Sequence, residues 1–226
     1  CVRPLLTLTH HHNRDRKRAD IQPVPPSDFM RFLFRWHQIG GSGPQDDRRQ
    51  GESGLRAALD QLEGFSVPAA AWEEELLPAR LKYYAPEMLD RLCASGQASW
   101  YRPIEGEAKK KTGPVRATPI LLCAREHLPH WRQQTVLPEE APLSSRAQRM
   151  QQALKDHGAS FLDDLIEDSG LLPAEAEQAL GELVSQGLVT SDSFAGLRGL
   201  VMPGPKKERI RHRRIPGAVS DAARWS

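Results

Sequence analysis

The chain has 226 residues, 39% apolar and 27% charged, with a net charge of +2. That is enough for two small domains with cores of their own, and the balance is that of ordinary globular protein. No apolar run approaches the ~20 residues that span a bilayer, which argues against a membrane protein, and the polar run His10-His11-His12-Asn13-Arg14 close behind Pro4 argues against a secretory leader.

The three cysteines, Cys1, Cys93 and Cys123, show no paired spacing. They read as plain thiols of a reducing, cytoplasmic protein, nucleoid-associated if the partner is DNA. The missing initiator Met and the ending Ala223-Arg224-Trp225-Ser226 predict a piece of something longer. Charge is unevenly spread, and local charge selects partners. Arg14, Arg16, Lys17 and Arg18 make one end basic, and Lys206, Lys207, Arg209, Arg211, Arg213 and Arg214 the other, whereas no Lys or Arg occurs between Lys155 and Arg198.

In chain order, residues 1–26 end in Pro23-Val24-Pro25-Pro26 and read as a basic, Pro-rich, extended connector. A helix capped by Ser27 or Asp28 follows, with Phe29, Phe32, Leu33 and Trp36 as a stripe facing a core. Gly40 to Gly54 reads as an exposed loop, and Leu55, Leu59 and Leu62 as a helix stopped at Gly64. Ala69 to Leu77 is a third helix, ended by Pro78.

Pro86, Leu89, Leu92 and Gly96 then give a helix with a proline start and a glycine stop. Gln97 to Ile104 and Val115 to Cys123 read as two strands joined by the charged connection Glu105 to Gly113. Helix, glycine stop and β-ribbon form the second half of a winged helix, a helix-turn-helix flanked by a hairpin. The same grammar returns in Leu180, Leu183 and Gly187, with Pro173 upstream, strand Leu188 to Thr190, turn Ser191 to Ser193 and strand Phe194 to Val201. Helices from Ser144 or Ser145 to Gly158, and through Phe161, Leu162, Leu165 and Ile166 to Gly170, complete that module.

The expected fold is therefore α+β, mainly helical, with tandem winged-helix modules and short β-hairpins. Its expected divisions are a connector at 1–26, a helical segment and first module at 27–140, a second module at 141–202, and a basic tail with the start of another segment at 203–226.

Several blocks resemble one family: Asp28 to Trp36, Gln61 to Phe65, Pro68 to Glu73, Leu77 to Arg80, Leu92 to Gly96, Gly113 to Ile120, and Gly187 to Arg198. In that order they are similar to the C-terminal region, the DEAD/H-box associated region, of Lhr (large helicase-related) proteins over roughly residues 19 to 202. The resemblance implies a parent that is a superfamily 2 ATP-dependent DNA helicase acting in DNA repair, using ATP and Mg in its motor. It also implies the motor domains of the same parent chain as partners. The motor is not written here: Lys111-Thr112 follows Lys110 rather than the glycine of a phosphate-cradling loop, and no DExH box occurs. No cofactor is expected in this stretch.

DNA contact is expected on the first wing, where Lys109, Lys110 and Lys111 lie between Arg102 and Arg116 and would neutralise phosphates of single-stranded or forked DNA. Trp100 could offer a stacking face to an unpaired base; the competing reading is a solvated loop over a buried Trp. The helix from Pro173 carries Glu175, Glu177 and Glu182 and no cation, so it should dock on protein rather than enter a groove. Cys123, His127 and His130 form C-x3-H-x2-H, too few ligands for a zinc site, and no metal site is expected. No catalytic residue is singled out. The alternatives to a DNA-contacting accessory region are a winged-helix, glycosylase-like base-excision module and a purely structural interaction module.

Overall fold

A computed structural model describes residues 3–19, 23–40, 46–103, 115–133, 143–201 and 223–226. The chain divides into two units, Cys1–Gly40 and Gly41–Ser226.

The first unit carries helices α1 (Arg3–Ala19) and α2 (Pro26–Trp36). Helix α1 corrects the expected extended connector: after Pro4 neither proline nor glycine interrupts the segment, and Arg16, Lys17 and Arg18 fall in its last turn, where cations suit the dipole. In α2 no side chain caps the start. Pro25 holds the N-cap position and Asp28 accepts from Arg31 at 2.6 Å. The stripe expected to face a core is not buried: Phe29, Phe32 and Trp36 stack on one another, 6.4 and 6.0 Å between centroids, and each is more than half exposed.

The second unit opens with α3 (Gly51–Leu62), which buries Leu55, Leu59 and Leu62 as their spacing predicts. Arg49, expected in a loop, instead bridges to Leu81, and the Lys82 N–H donates to its carbonyl at 3.0 Å. Strand β1 (Val67–Pro68) leads into α4 (Ala69–Ala71), a π turn (Trp72–Leu76) and α5 (Leu77–Arg80). Pro78 therefore does not end this helix. Its missing N–H and bulky ring disrupt the α register, and the π turn absorbs the mismatch, with the Leu77 N–H reaching back five residues to the Trp72 carbonyl.

Helix α6 (Pro86–Ala94) stops at Gly96, φ +72°, and strands β2 (Ala98–Tyr101) and β3 (Pro119–Ala124) follow. The sheet order is β1-β3-β2, antiparallel, with Trp100 opposite Leu122. Val115–Ala117, expected as strand, is a 3-10 turn. The two faces of the ribbon serve different clusters, as period two requires. Ala98, Trp100, Ile120 and Leu122 enter the main core, while Tyr101, Leu121 and Cys123 lie under Leu128 and Trp131 of α7 (Leu128–Gln133).

The second module repeats the plan with α8 (Ser145–His157), β4 (Ser160–Phe161), α9 (Leu162–Ser169) and α10 (Pro173–Ser185), stopped at Gly187, φ +68°. Residues 188–201 do not form a hairpin. Phe194–Val201 is helix α11, and the Ser193 hydroxyl oxygen accepts the Ala195 N–H at 3.1 Å, a polar cap at its start. The strand partner is β5 (Arg224–Trp225), which pairs with β4 on one side and bridges Ser191 on the other. Thr190 and Ser226 exchange N–H···O bonds at 2.9 and 3.0 Å. This gives the order β4, β5, Ser191 strand, matching β1-β3-β2. Ala223–Ser226 is thus part of the second module's sheet rather than a tail beyond residue 202; the basic run Lys206 to Arg214 lies outside the described residues. Two winged-helix modules share one continuous core, from Leu55 and Trp72 to Leu180 and Trp225.

Candidate nucleic-acid interface

The wing of the first module springs from β2 and returns to β3. Of the residues expected to touch DNA there, Lys109, Lys110 and Lys111 lie outside the described residues. Arg102, at the wing's root, is half-buried, and desolvation holds its guanidinium below the ordinary range. Arg116 is half exposed and pairs with Glu74 at 2.6 Å. It borders the wing but is partly neutralised there.

Trp100 is not a stacking platform. Its side chain is 0% exposed. The indole N–H donates to the Ser193 carbonyl at 3.2 Å, the ring meets Trp225 edge to face at 6.4 Å, and the Trp100 carbonyl accepts the Thr190 hydroxyl at 2.7 Å. Every one of these partners belongs to the second module. The Trp72 indole N–H donates to the Ile120 carbonyl of the neighbouring strand, β2 is buried at all four positions, and a base has no route to the indole of Trp100.

Helix α10 occupies the recognition position of the second module; Ala174 and Gln178 are exposed, while its other side is buried. Ala176, Ala179, Leu180, Gly181, Leu183, Val184 and Ser185 are buried. A Cβ at Gly181 would stand 3.0 Å from Val115 Cγ2, at the root of the first module's wing. Two of its carboxylates are used within their own module. Glu175 pairs with Arg146 at 3.0 Å and accepts the Leu172 N–H; Glu182 accepts the N–H and hydroxyl of Ser144 at 2.7 and 2.6 Å, anchoring the start of α8. The helix meets the first module at Gly181, and the partners given for Glu175 and Glu182 lie in the second.

A second lock between the modules left little trace in local sequence. Arg198 of α11 forks onto Glu73 at 2.6 and 2.8 Å and onto Asp90 at 2.9 Å by two bonds, and the Tyr84 hydroxyl donates to Glu73 at 2.6 Å. Two carboxylates on one guanidinium raise the Arg198 pKa despite burial, while burial and the Glu73 charge raise that of Tyr84. Asp90 sits on α6, so this network also occupies part of the first module's recognition-position helix. Beside it, burial pushes the Cys93 thiol up to about 12.

The C-x3-H-x2-H residues do not converge. Cys123 is buried in β3, its thiol pushed up to about 12 by desolvation. His127 is turned to Glu63, with Nδ1 2.9 Å from Oε1, and the Trp131 indole N–H donates to the same carboxylate at 2.7 Å. Among the described residues, no group of three or more His, Cys, Asp or Glu side chains is placed to hold a metal ion. No described helix is long and apolar enough to cross a membrane.

Comparison with known proteins converges on one family. Residues 24–120 match the family model for the winged-helix domain of large helicase-related (Lhr) proteins. Over 209 residues the chain is 30% identical to a protein of Mycolicibacterium smegmatis described as an Lhr helicase and probable uracil glycosylase, covering 92% of this chain and 13% of the relative. Over 162 residues it is 36% identical to an Escherichia coli K12 protein described as an Lhr helicase and uracil glycosylase, covering 67% of this chain and 10% of the relative. The chain spans about a tenth of the length of these relatives.

Proposed function

The chain belongs to the large helicase-related family through its winged-helix region, and from that membership we propose that it is the DNA-contacting and assembly part of an Lhr-type, superfamily 2, ATP-dependent DNA helicase acting in DNA repair. Its partners are single-stranded or forked DNA and the motor domains of the same parent chain, in the nucleoid-bearing cytoplasm. ATP and Mg belong to the motor domains of that parent.

The observation that carries this reading is the burial of α10 against Val115 at the root of the first wing. The second module spends its recognition-position helix on holding the first, so the basic wing of the first module is left as the element to meet phosphate. Lys109, Lys110 and Lys111 on that wing supply the charge. Contacts of this kind displace counterions, so affinity falls with salt in proportion to the phosphates neutralised.

The test is binding of labelled single-stranded, forked and duplex DNA over a salt series, beside the triple variant Lys109→Ala/Lys110→Ala/Lys111→Ala. The expected result is salt-dependent binding, with the log–log slope smaller by about two to three in the variant. Equal slopes for the two proteins would remove the wing from the interface, and no binding by the folded chain would leave a purely structural module.

A second reading is favoured by the descriptions of both relatives as uracil glycosylases: this region would help present a flipped base for excision. Uracil release from a uracil-containing oligonucleotide, with the chain in excess over DNA, separates the two. Release by the chain alone supports base excision; binding without release supports the accessory role.

A further inference from the structure

In the first module, the segment ahead of α3 meets the end of α5. The bridge of Arg49 to Leu81, with the Lys82 N–H on the Arg49 carbonyl, brings Arg48, Arg49, Arg80 and Lys82 onto one short ladder. Asp46 is already taken: Arg48 grips both its carboxylate oxygens at 2.9 Å and holds its pKa down at about 2. Arg48 also reaches the Pro78 carbonyl at 3.3 Å. Arg49 and Arg80 have no such partner. Among the described residues neither forms an ion pair.

Each of these two guanidiniums is anchored by one hydrogen bond, Arg49 Nη2 to Gln61 Oε1 and Arg80 Nη1 to the Leu76 carbonyl, both at 3.0 Å. Among the described residues, each also has a buried N–H group with no acceptor, Arg49 Nη1 and Arg80 Nε. Arg80 is 6% exposed. Two neighbouring cations with orphaned donors are costly to bury, because hydration is lost and no anion replaces it. Burial lowers both pKa values, and the Arg49 charge lowers that of Arg80 further. Mere packing would favour an apolar side chain at such a position. A planar fork of donors is instead what recognises a phosphate through paired N–H···O bonds. Lys82 flanks the pair, and next to it Tyr83 is 73% exposed.

We propose that Arg49 and Arg80, with Lys82 at the rim, form a phosphate-binding site, filled by a phosphodiester of the DNA backbone. The proposal rests on the DNA-contacting reading for the source of the phosphate, but the anion site is tested independently of it. A second phosphate contact besides the wing lysines would fix the orientation of a strand relative to the module, which a single contact does not.

The experiment has two arms. In the first, thermal unfolding of the chain is followed in inorganic phosphate against chloride at fixed ionic strength, for the parent and for Arg80→Met and Arg49→Gln. Phosphate should raise the midpoint of the parent, because a ligand that binds only the folded state stabilises it. Neither variant should respond, and Arg80→Met should melt higher than the parent in chloride. No phosphate response in the parent, or an equal response in folded variants, overturns the site. Arg49→Gln keeps the test decisive should Arg80→Met fail to fold.

In the second arm, Arg49→Gln is taken through the DNA salt series. A log–log slope lower by about one supports the backbone as the source. An unchanged slope beside an intact, variant-sensitive phosphate response overturns the backbone as the source and assigns the site to free phosphate. Wing-dependent DNA binding with no phosphate response refutes this site while leaving the DNA reading in place.

Discussion

The indole N–H of Trp100 donates to the backbone carbonyl of Ser193 across 3.2 Å, joining the ribbon of the first winged-helix module to the turn that starts α11 in the second. Ninety-three residues separate the two groups in sequence, so the bond forms only when both modules are folded and docked. Trp100→Ala opens a large cavity in the shared core and should cost about 3–5 kcal/mol. Trp100→Phe keeps most of the ring volume and loses this bond, while Ser191 still donates to the same carbonyl at 2.7 Å, so about 1–2 kcal/mol is expected. Urea denaturation measures both. DNA affinity of the folded Trp100→Phe protein should match the parent; a large loss there would reinstate the indole as a contact.

Arg198 with Glu73 and Asp90 is the other lock between the modules, and its side chains are no more than a quarter exposed. Arg198→Met leaves two carboxylates without their cation and should cost about 3–5 kcal/mol. Removing all three charges together, as Arg198→Met/Glu73→Gln/Asp90→Asn, should cost less than the single change, because no charge is left stranded. A triple variant weaker than Arg198→Met by chemical denaturation would mean that the network itself, rather than avoidance of stranded charge, supplies the stability.

What was legible in the sequence was local. The Leu-x-x-Leu-x-x-x-Gly pattern at Leu89 to Gly96 and Leu180 to Gly187 marked both third helices and their stops, because the helical period and a positive-φ glycine act within a few residues. What failed depended on distance. The partner of the Thr190–Asp192 strand arrives at Arg224, so in local sequence the short apolar run Phe194–Val201 reads as the missing hairpin arm, whereas it is a helix. Trp100 beside a basic wing reads equally as a stacking face or a core residue; Ser193 and Trp225 decide between them. Helix α2 has the apolar periodicity of a core helix, yet its aromatics are exposed. Arg49 and Arg80 stand 31 positions apart and give no local signal that their donors lack acceptors.

Both described thiols should be inert in the folded chain. Burial, with the Asp90 charge for Cys93 and the Glu63 charge for Cys123, pushes each up to about 12, so almost no thiolate exists at pH 8. In a Cys1→Ser background, a chromogenic disulfide reagent should label neither thiol until denaturant is added, and then both. Rapid labelling of Cys123 in native buffer would mean that α7 lifts from the sheet.

The pairing of His127 with Glu63 ties the start of α7 to the end of α3, and it should make stability depend on pH. The hydrogen bond to Glu63 leads the causes that raise the His127 pKa above its ordinary 6.5, and the charges of Glu126 and Asp60 add to it. A raised folded value means that the stabilisation is complete below pH 6.5 and is lost as pH climbs through the folded pKa. The melting temperature of the parent should therefore exceed that of His127→Gln most at low pH, with the two curves converging as pH rises. A gap that widens with pH would contradict this sign.

Gly196 reports on whether β5 truly completes the second module. It lies inside α11, where alanine ordinarily stabilises a helix by up to about 1 kcal/mol relative to glycine. Here an added Cβ would meet Ala223 Cβ at 2.6 Å and Trp225 Cζ2 at 3.1 Å, atoms held against the core by the pairing of β5 with β4. Overpacking of this kind costs about 1–3 kcal/mol, so Gly196→Ala should destabilise the chain, reversing the sign that helix propensity alone gives. Ala223→Gly removes the nearest clash and should recover part of the loss, a coupling of about 0.5–3 kcal/mol in a double-mutant cycle. If Gly196→Ala is neutral or stabilising, or the two changes simply add, α11 does not rest on the chain at Ala223, and Arg224 and Trp225 are not the closing strand of this module.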